Sequence, residues 1–343
     1  MATIKDVAAL AGISYTTVSH VVNNTRPVSD PVRAKVEAAI VQLAYVPSGV
    51  ARSLKARTTA TIGLVLPNNS NPYFAELARG IEDACERNGY CVILCNSDDD
   101  PLKQRNYLRM LQEKRIDGLV LAAVDDASLG DEWCNLATPL VVVDREIRGV
   151  AADVVCIDHT AGACMATEHL ITLGHRRIAC VNGPASASVA RLRQAGFDQA
   201  MRDAGLDVPD HWRIESDFTA EGGYLSGLAL LSATPPSAVF AANDMLGMGL
   251  LRAAAERGVR VPAALSVIGF DDIHMCRYVY PALTTVGQSI MELGELAAEH
   301  LLHRIRGRAT AMPRRHVVAP RIVLRESTAA LSQVDADQDE VQS

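Results

Sequence analysis

The sequence predicts an α/β protein: a small all-α helix-turn-helix unit, then a core of two doubly wound lobes built on parallel sheets. Three observations carry this expectation. Residues 4–43 show apolar side chains at helical spacing between recognisable caps. From residue 62 onward, short apolar runs of strand length alternate with amphipathic stretches, the βαβ pattern, and the series begins afresh near residue 154. Finally, 343 residues with 49% hydrophobic content exceed one ordinary domain and can bury a sizeable core.

The amino-terminal elements follow from capping and period. Thr3 suits the N-cap of a first helix, and Asp6 three residues on comes close to a capping box. Gly12 stands where the chain must turn, a position that favours positive φ. Ser14 can cap a second helix. Val7, Ala11, Val18 and Val21 can share one buried face, with Ala8 small enough for a close helix crossing. That leaves Tyr15, Thr16, Ser19, His20 and Asn23 on the opposite face. Short polar donors and acceptors with one aromatic hydroxyl suit the reading of base edges in a major groove. Asp30-Pro31 reads as a cap followed by proline at the first helical position, and Val32, Val36, Ala39, Ile40 and Leu43 form the stripe of a third helix.

The core elements come in order. Strands are expected at 62–67, 91–95, 118–122 and 139–143, with helices at 73–88 and 101–114. The second series has strands at 154–157, 177–182, 238–242 and 265–269, and helices at 160–173, 189–204, 220–232 and 244–257. Gly174 and Gly205 end two of these helices. Crossings between the lobes are placed near 158–162 and 284–289. The acidic tail 331–343 is expected to be disordered.

Charge is unevenly spread. Residues 1–60 carry seven basic and three acidic side chains, a balance of +4; since the whole chain carries −7, the rest carries −11. A basic module on an acidic body fits a protein that presents one end to nucleic acid. The eight cysteines form no CxxC pair and several lie inside apolar runs, so a disulfide framework or metal site is not expected and a reducing cytoplasm is. No secretory leader or membrane-spanning run is visible.

Ligands of open parallel sheets sit at the carboxyl ends of strands. The residues there are Asn71, Tyr73, Phe74, Asp144, Arg145, Arg191, Phe218, Asn243, Asp271 and Gln288. Carboxylates, guanidiniums and amides can each grip pairs of vicinal hydroxyls. Aromatic planes suit the C–H faces of a sugar ring, and only 4% of the chain is aromatic. Two carboxylates against two guanidiniums favour a neutral sugar over a phosphosugar. A purine would want another large aromatic where Arg145 stands. Asn243 is equally able to serve simply as a helix cap.

Several segments together resemble the LacI/GalR family of bacterial transcriptional regulators: Met-Ala-Thr-Ile-Lys-Asp-Val-Ala at the start, Thr17-Val18-Ser19-His20-Val21-Val22-Asn23, and Ala51-Arg52-Ser53-Leu54-Lys55. The cleft pattern, from Asn71-Pro72-Tyr73-Phe74 to Gln288, is similar to the ribose-binding periplasmic proteins. The resemblance implies a DNA-binding headpiece over 1–46, a hinge helix and linker over 47–59, and a periplasmic-binding-protein-like effector and dimerisation core over 60–330. Lobe 1 would then comprise about 60–159 and 289–319, and lobe 2 about 160–288 and 320–330, with a return crossing near 318–323. It further implies a homodimer on double-stranded operator DNA, with Tyr15, Thr16, Ser19 and His20 toward bases and Asn24 and Arg26 toward phosphate. A hinge about 48–56 is too short to be a stable isolated helix, and Gly49 weakens it, so it would fold only against its dimer mate in the minor groove. There Leu54 would act as an apolar wedge, with Lys55 following it.

The expected effector is a small neutral monosaccharide, first D-ribose, with fructose, another pentose or a purine as alternatives. A sugar-binding protein without DNA function is the rival binding class. Against an α/β enzyme stands the absence of a phosphate loop, of an HExxH pair and of a full dinucleotide fingerprint, since Gly247-Met248-Gly249 lacks the third glycine. No cofactor is expected.

Overall fold

The computed structural model describes residues 2–46, 58–122, 138–145, 151–232, 234–287, 289–307 and 312–331. It divides into two compact units, Met1–Thr59 and Ala60–Ser343.

The first unit holds three helices, α1 (Ile4–Ala11), α2 (Tyr15–Asn23) and α3 (Asp30–Gln42). Thr3 caps α1, and Asp6 completes a capping box by accepting the Thr3 backbone N–H at 2.7 Å. Gly12 takes φ +64°, and a β-carbon placed there would meet nothing within 4 Å, so the turn requires the backbone conformation rather than the space. Ser14 accepts the Thr17 N–H at the start of α2. At α3 the structure corrects the expectation: Ser29 is the N-cap, without a side-chain hydrogen bond, and Asp30 is already helical. Val7, Val18, Val21, Val36 and Ala39 form the small core.

The second unit carries two six-stranded sheets. The first contains β1 (Thr61–Leu66), β2 (Cys91–Asn96), β3 (Gly118–Leu121), β4 (Leu140–Val143), β5 (Asp153–Ile157) and β11 (Arg315–Val318). Its order is β11-β5-β4-β3-β1-β2, and every pairing is parallel. The second contains β6 (Ile178–Asn182), β7 (Arg213–Glu215), β8 (Ala238–Ala241), β9 (Ser266–Asp271), β10 (Thr284–Gly287) and β12 (Arg321–Val323), in the order β12-β10-β9-β8-β6-β7. Here β12 runs antiparallel to β10, an edge departure from an all-parallel lobe.

The helices are α4 (Pro72–Arg87), α5 (Pro101–Glu113), α6 (His159–Thr172), α7 (Ser188–Asp203), α8 (Ala220–Leu230), α9 (Asp244–Glu256) and α10 (Ile290–Ile305). The chain leaves the first sheet after β5, and α6 packs against β9 and β10 of the second. It returns after β10: α10 packs on α4 and on β3, β4 and β5. Strands β7, β10, β11 and β12 and helix α10 are additions to the elements expected from sequence. β7 and β12 are only three residues long, too short for a periodic signal.

Among the described residues no helix is long and apolar enough to cross a membrane, and no His, Cys, Asp and Glu cluster could hold a metal ion. The described cysteines are free, and most are buried.

Candidate functional site

Two sites follow from this scaffold, one in each unit. In the first unit, the exposed side of α2 presents Tyr15 and Thr16, with Ser19 and His20 half-buried beside them. Local hydrogen bonds hold this face. His20 Nδ1 lies 2.8 Å from Thr25 Oγ1. Asn23 Nδ2 donates to the Ser19 carbonyl at 2.9 Å. Asn24 ends α2 in the left-handed region (φ +48°) and accepts from Arg33 at 3.4 Å; its C-cap role accounts for its backbone. Arg26 is exposed. Leu54, Lys55 and the hinge lie outside the described residues.

In the second unit, a cavity of about 320 Å³ opens between the two sheets at the carboxyl ends of their strands. The first lobe contributes Asn68 and Asn71 after β1, Tyr73 and Phe74 at the start of α4, Asp99 after β2, and Asp144 and Arg145 after β4. From the second come Ser186 and Ala187 after β6, Arg193 on α7, Asp217 and Phe218 after β7, Asn243 after β8 and Asp271 at the end of β9. Asp144, Phe218 and Asp271 all have positive φ, at +66°, +64° and +114°. Such strain persists where surrounding structure over-determines the backbone, and it concentrates at ligand sites.

The charged groups are buried and paired. Tyr73 donates its hydroxyl to Asp144 Oδ1 at 2.8 Å. Burial, with Asp144 and Asp271 nearby, raises the Tyr73 pKa well above its ordinary value and keeps that proton in place. Arg193 donates to Asp271 at 2.9 Å and to the Ala242 carbonyl, and its guanidinium lies 3.9 Å from the centre of the Phe270 ring. Burial pushes the Asp271 carboxyl up, while Arg193 pulls against it. Arg145 pairs with Asp99 at 3.0 Å and sits 5.9 Å from the Phe74 ring centre. Asn243 does two jobs: it caps α9 through the Leu246 N–H and donates to the Phe218 carbonyl at 3.0 Å. The Phe218 ring lies against Gly183, where a β-carbon would come within 2.1 Å of it.

The structure therefore brings together Asn71, Tyr73, Phe74, Asp144, Arg145, Phe218, Asn243 and Asp271. Gln288 lies outside the described residues. Arg191 is the correction. It does not line the cavity and donates to the carbonyls of Ala185 and Ser186, both at 2.8 Å. Arg193, two residues on, takes the place expected of it, because positions two apart on a helix face opposite ways. The sequence does hold a signal for this: Arg193 falls in the buried stripe Val189, Ala190, Gly196, Phe197 and Ala200. A charge inside an apolar stripe must be paired. Asp99 and Asp217 also line the cavity and are absent from the set expected from sequence, although both follow strand ends.

The comparisons agree with this architecture. The model for bacterial regulatory proteins of the lacI family matches residues 3–48, and the model for a periplasmic binding protein-like domain matches residues 167–328. The HTH-type transcriptional repressor PurR of Photobacterium profundum is 41% identical over 97% of this chain and 100% of its own length. The chain belongs to the LacI family. A second LacI-family relative, the ribose operon repressor of Escherichia coli (strain K12), is 42% identical over 89% of this chain and 93% of its own. The crystal structure of the lac repressor dimer bound to operator and the anti-inducer ONPF superposes with a TM-score of 0.86 at 30% identity, covering 96% of this chain and 99% of that one. The protein is accordingly a DNA-binding transcriptional repressor of the LacI family with a ligand-binding core, not an enzyme.

Proposed function

We propose that the protein is a homodimeric repressor of a sugar-utilisation operon, released from a palindromic operator when D-ribose binds the cleft. The lining of the cavity carries this reading. Its charged members are four carboxylates, Asp99, Asp144, Asp217 and Asp271, against two guanidiniums, Arg145 and Arg193. Such a balance repels phosphate and favours a neutral ligand rich in hydroxyls. Amides from Asn68, Asn71 and Asn243 add donors and acceptors on both walls, and Phe74 and Phe218 offer apolar planes.

In this scheme Tyr15, Thr16, Ser19 and His20 read bases, Asn24 and Arg26 contact phosphate, and Leu54 with Lys55 enters the minor groove. The cleft ligands are Asn71, Tyr73, Phe74, Asp144, Arg145, Arg193, Phe218, Asn243, Asp271 and Gln288. Sugar draws the lobes together and weakens operator binding through a coupling free energy of about 1–3 kcal/mol.

A purine effector is the second reading. Two aromatic rings on the cavity wall can face a flat base, and one relative is named PurR. Calorimetry of the apo protein against D-ribose, D-fructose, ribose 5-phosphate and hypoxanthine separates the two. Ribose is expected to bind and, in fluorescence anisotropy, to lower affinity for a palindromic duplex selected from random sequence. Hypoxanthine binding without ribose binding overturns the sugar reading. Ribose that tightens the duplex overturns induction.

A further inference from the structure

We propose that His159 is a positioning residue of the effector cleft: its two ring nitrogens tie the Asp144 main chain on one wall to the Arg193 guanidinium on the other. One side chain thereby sets the aim of ligand-gripping groups in both lobes. This rests on the cleft being the effector site.

His159 is the first residue of α6, two positions beyond the end of β5, where the chain passes from the first sheet to the second. It is 3% exposed and does not line the cavity, so it can act only through its neighbours. Nδ1 lies 3.3 Å from Arg193 Nε, and Nε2 lies 3.3 Å from the Asp144 carbonyl oxygen and 3.6 Å from its Oδ1. The tautomer follows from chemistry. Arg193 Nε carries a hydrogen and accepts nothing, so His159 Nδ1 must offer its lone pair and Nε2 must hold the proton. That proton is then donated to Asp144. Burial, with the Arg193 charge adding to it, lowers the ring pKa to about 4 and keeps the imidazole neutral. An imidazolium would set an N–H against the Arg193 N–H.

The ring is fixed in turn. It packs against Phe270, tilted by 30° with 5.9 Å between centroids, and the same Phe270 carries the Arg193 guanidinium. With Nε on His159, one Nη on the Ala242 carbonyl and the other on Asp271, the guanidinium has a single allowed orientation. Two of its five N–H groups are not used by these bonds and are available to a ligand.

The test uses full-length protein. In ligand-free wild type labelled with ¹⁵N-histidine, the expected His159 ring carries its proton on Nε2; a proton on Nδ1 overturns the proposal without reference to any ligand. Calorimetry with D-ribose then compares wild type, His159→Gln and His159→Leu. Glutamine keeps one acceptor and one donor and is expected to bind within fivefold of wild type. Leucine keeps the bulk alone and is expected to bind at least twentyfold more weakly. Equal losses in both variants, or leucine within threefold of wild type, would reduce His159 to packing and overturn the assignment. If the leucine variant does not fold, the ring tautomer and the glutamine comparison decide. Wild type that shows the predicted tautomer but binds no ribose refutes the sugar reading alone.

Discussion

In the headpiece the buried side chains among the described residues are all aliphatic, Val7, Val18, Val21, Val36 and Ala39, and the described groups assigned to DNA, Tyr15, Thr16, Ser19, His20, Asn24 and Arg26, are exposed or half-exposed. In the cleft the arrangement is inverted. Asp144, Arg145, Arg193 and Asp271 are each no more than 7% exposed and are held by named partners. The difference teaches where binding energy resides. An exposed cation meets phosphate through a screened field and holds no fixed geometry beforehand. A buried charge has already been desolvated and positioned, so its partners decide what fits.

The largest expected contrast is with salt. Operator affinity should fall by about 10³-fold or more between 50 and 200 mM salt, as counterions are released from about six or more phosphate contacts. Ribose affinity over the same range should change less than twofold. Anisotropy and calorimetry check the two halves. A flat salt response on DNA would remove the headpiece from the interface.

Next comes the pair of neighbouring arginines. Arg193→Met strips Asp271 of its partner, and breaking such a buried pair typically costs about 3–5 kcal/mol. The upward shift of Asp271 lets it take a proton instead, which moderates the loss of stability. Ribose affinity should nevertheless fall at least 100-fold. Arg191→Met should leave it within threefold, because Arg191 is not part of the cavity lining and donates to the carbonyls of Ala185 and Ser186. The reverse pattern would restore the arginine assigned from sequence.

These two residues also mark how far the sequence can be read. The strand-end rule locates Asp144, Asn243 and Asp271, because a parallel sheet forces its ligands to one edge regardless of detail. It cannot choose between Arg191 and Arg193, since that choice depends on which face of α7 meets the sheet. His159 carries no local signal at all. Its partners are 15 and 34 residues away and meet it only after both lobes have folded. Likewise, residues 290–323 are legible only by resemblance: α10, β11 and β12 return to two different sheets, and a local pattern does not encode a return.

The buried histidine predicts a pH signature that the headpiece should lack. Its folded pKa of about 4 lies below the ordinary value of 6.5. The unfolded chain therefore binds the proton first as pH falls. This stability is complete above pH 6.5, declines between 6.5 and 4, and is spent below 4. Between pH 7 and 4.5 the wild type should lose about 2–3 kcal/mol more core stability than His159→Gln. Asp244 and Asp271, raised by burial, work in the opposite sense but are common to both proteins. Urea titrations at the two pH values measure the difference; parallel losses would mean the ring is solvated.

A smaller effect is expected at Gly183. A methyl there would strike the Phe218 ring, which must then leave its seat. Gly183→Ala should weaken ribose about tenfold, roughly 1.4 kcal/mol, without altering operator affinity in the absence of sugar. An unchanged ribose affinity would show that Phe218 is not a ligand surface.

The smallest effect tests the headpiece by a route the cleft does not share. Ser14→Ala removes the hydroxyl that accepts the Thr17 N–H, leaving the first turn of α2 uncapped. A lost N-cap costs about 1 kcal/mol of helix stability. Because the headpiece core rests on five small side chains, that loss is a large fraction of its reserve. Operator affinity should drop by about fivefold, and unfolding of the headpiece should shift to lower temperature, while the ribose isotherm measured without DNA overlays that of wild type. A ribose isotherm displaced in the absence of DNA would mean that the headpiece cap is felt in the cleft even without operator, and that the coupling does not depend on bound DNA.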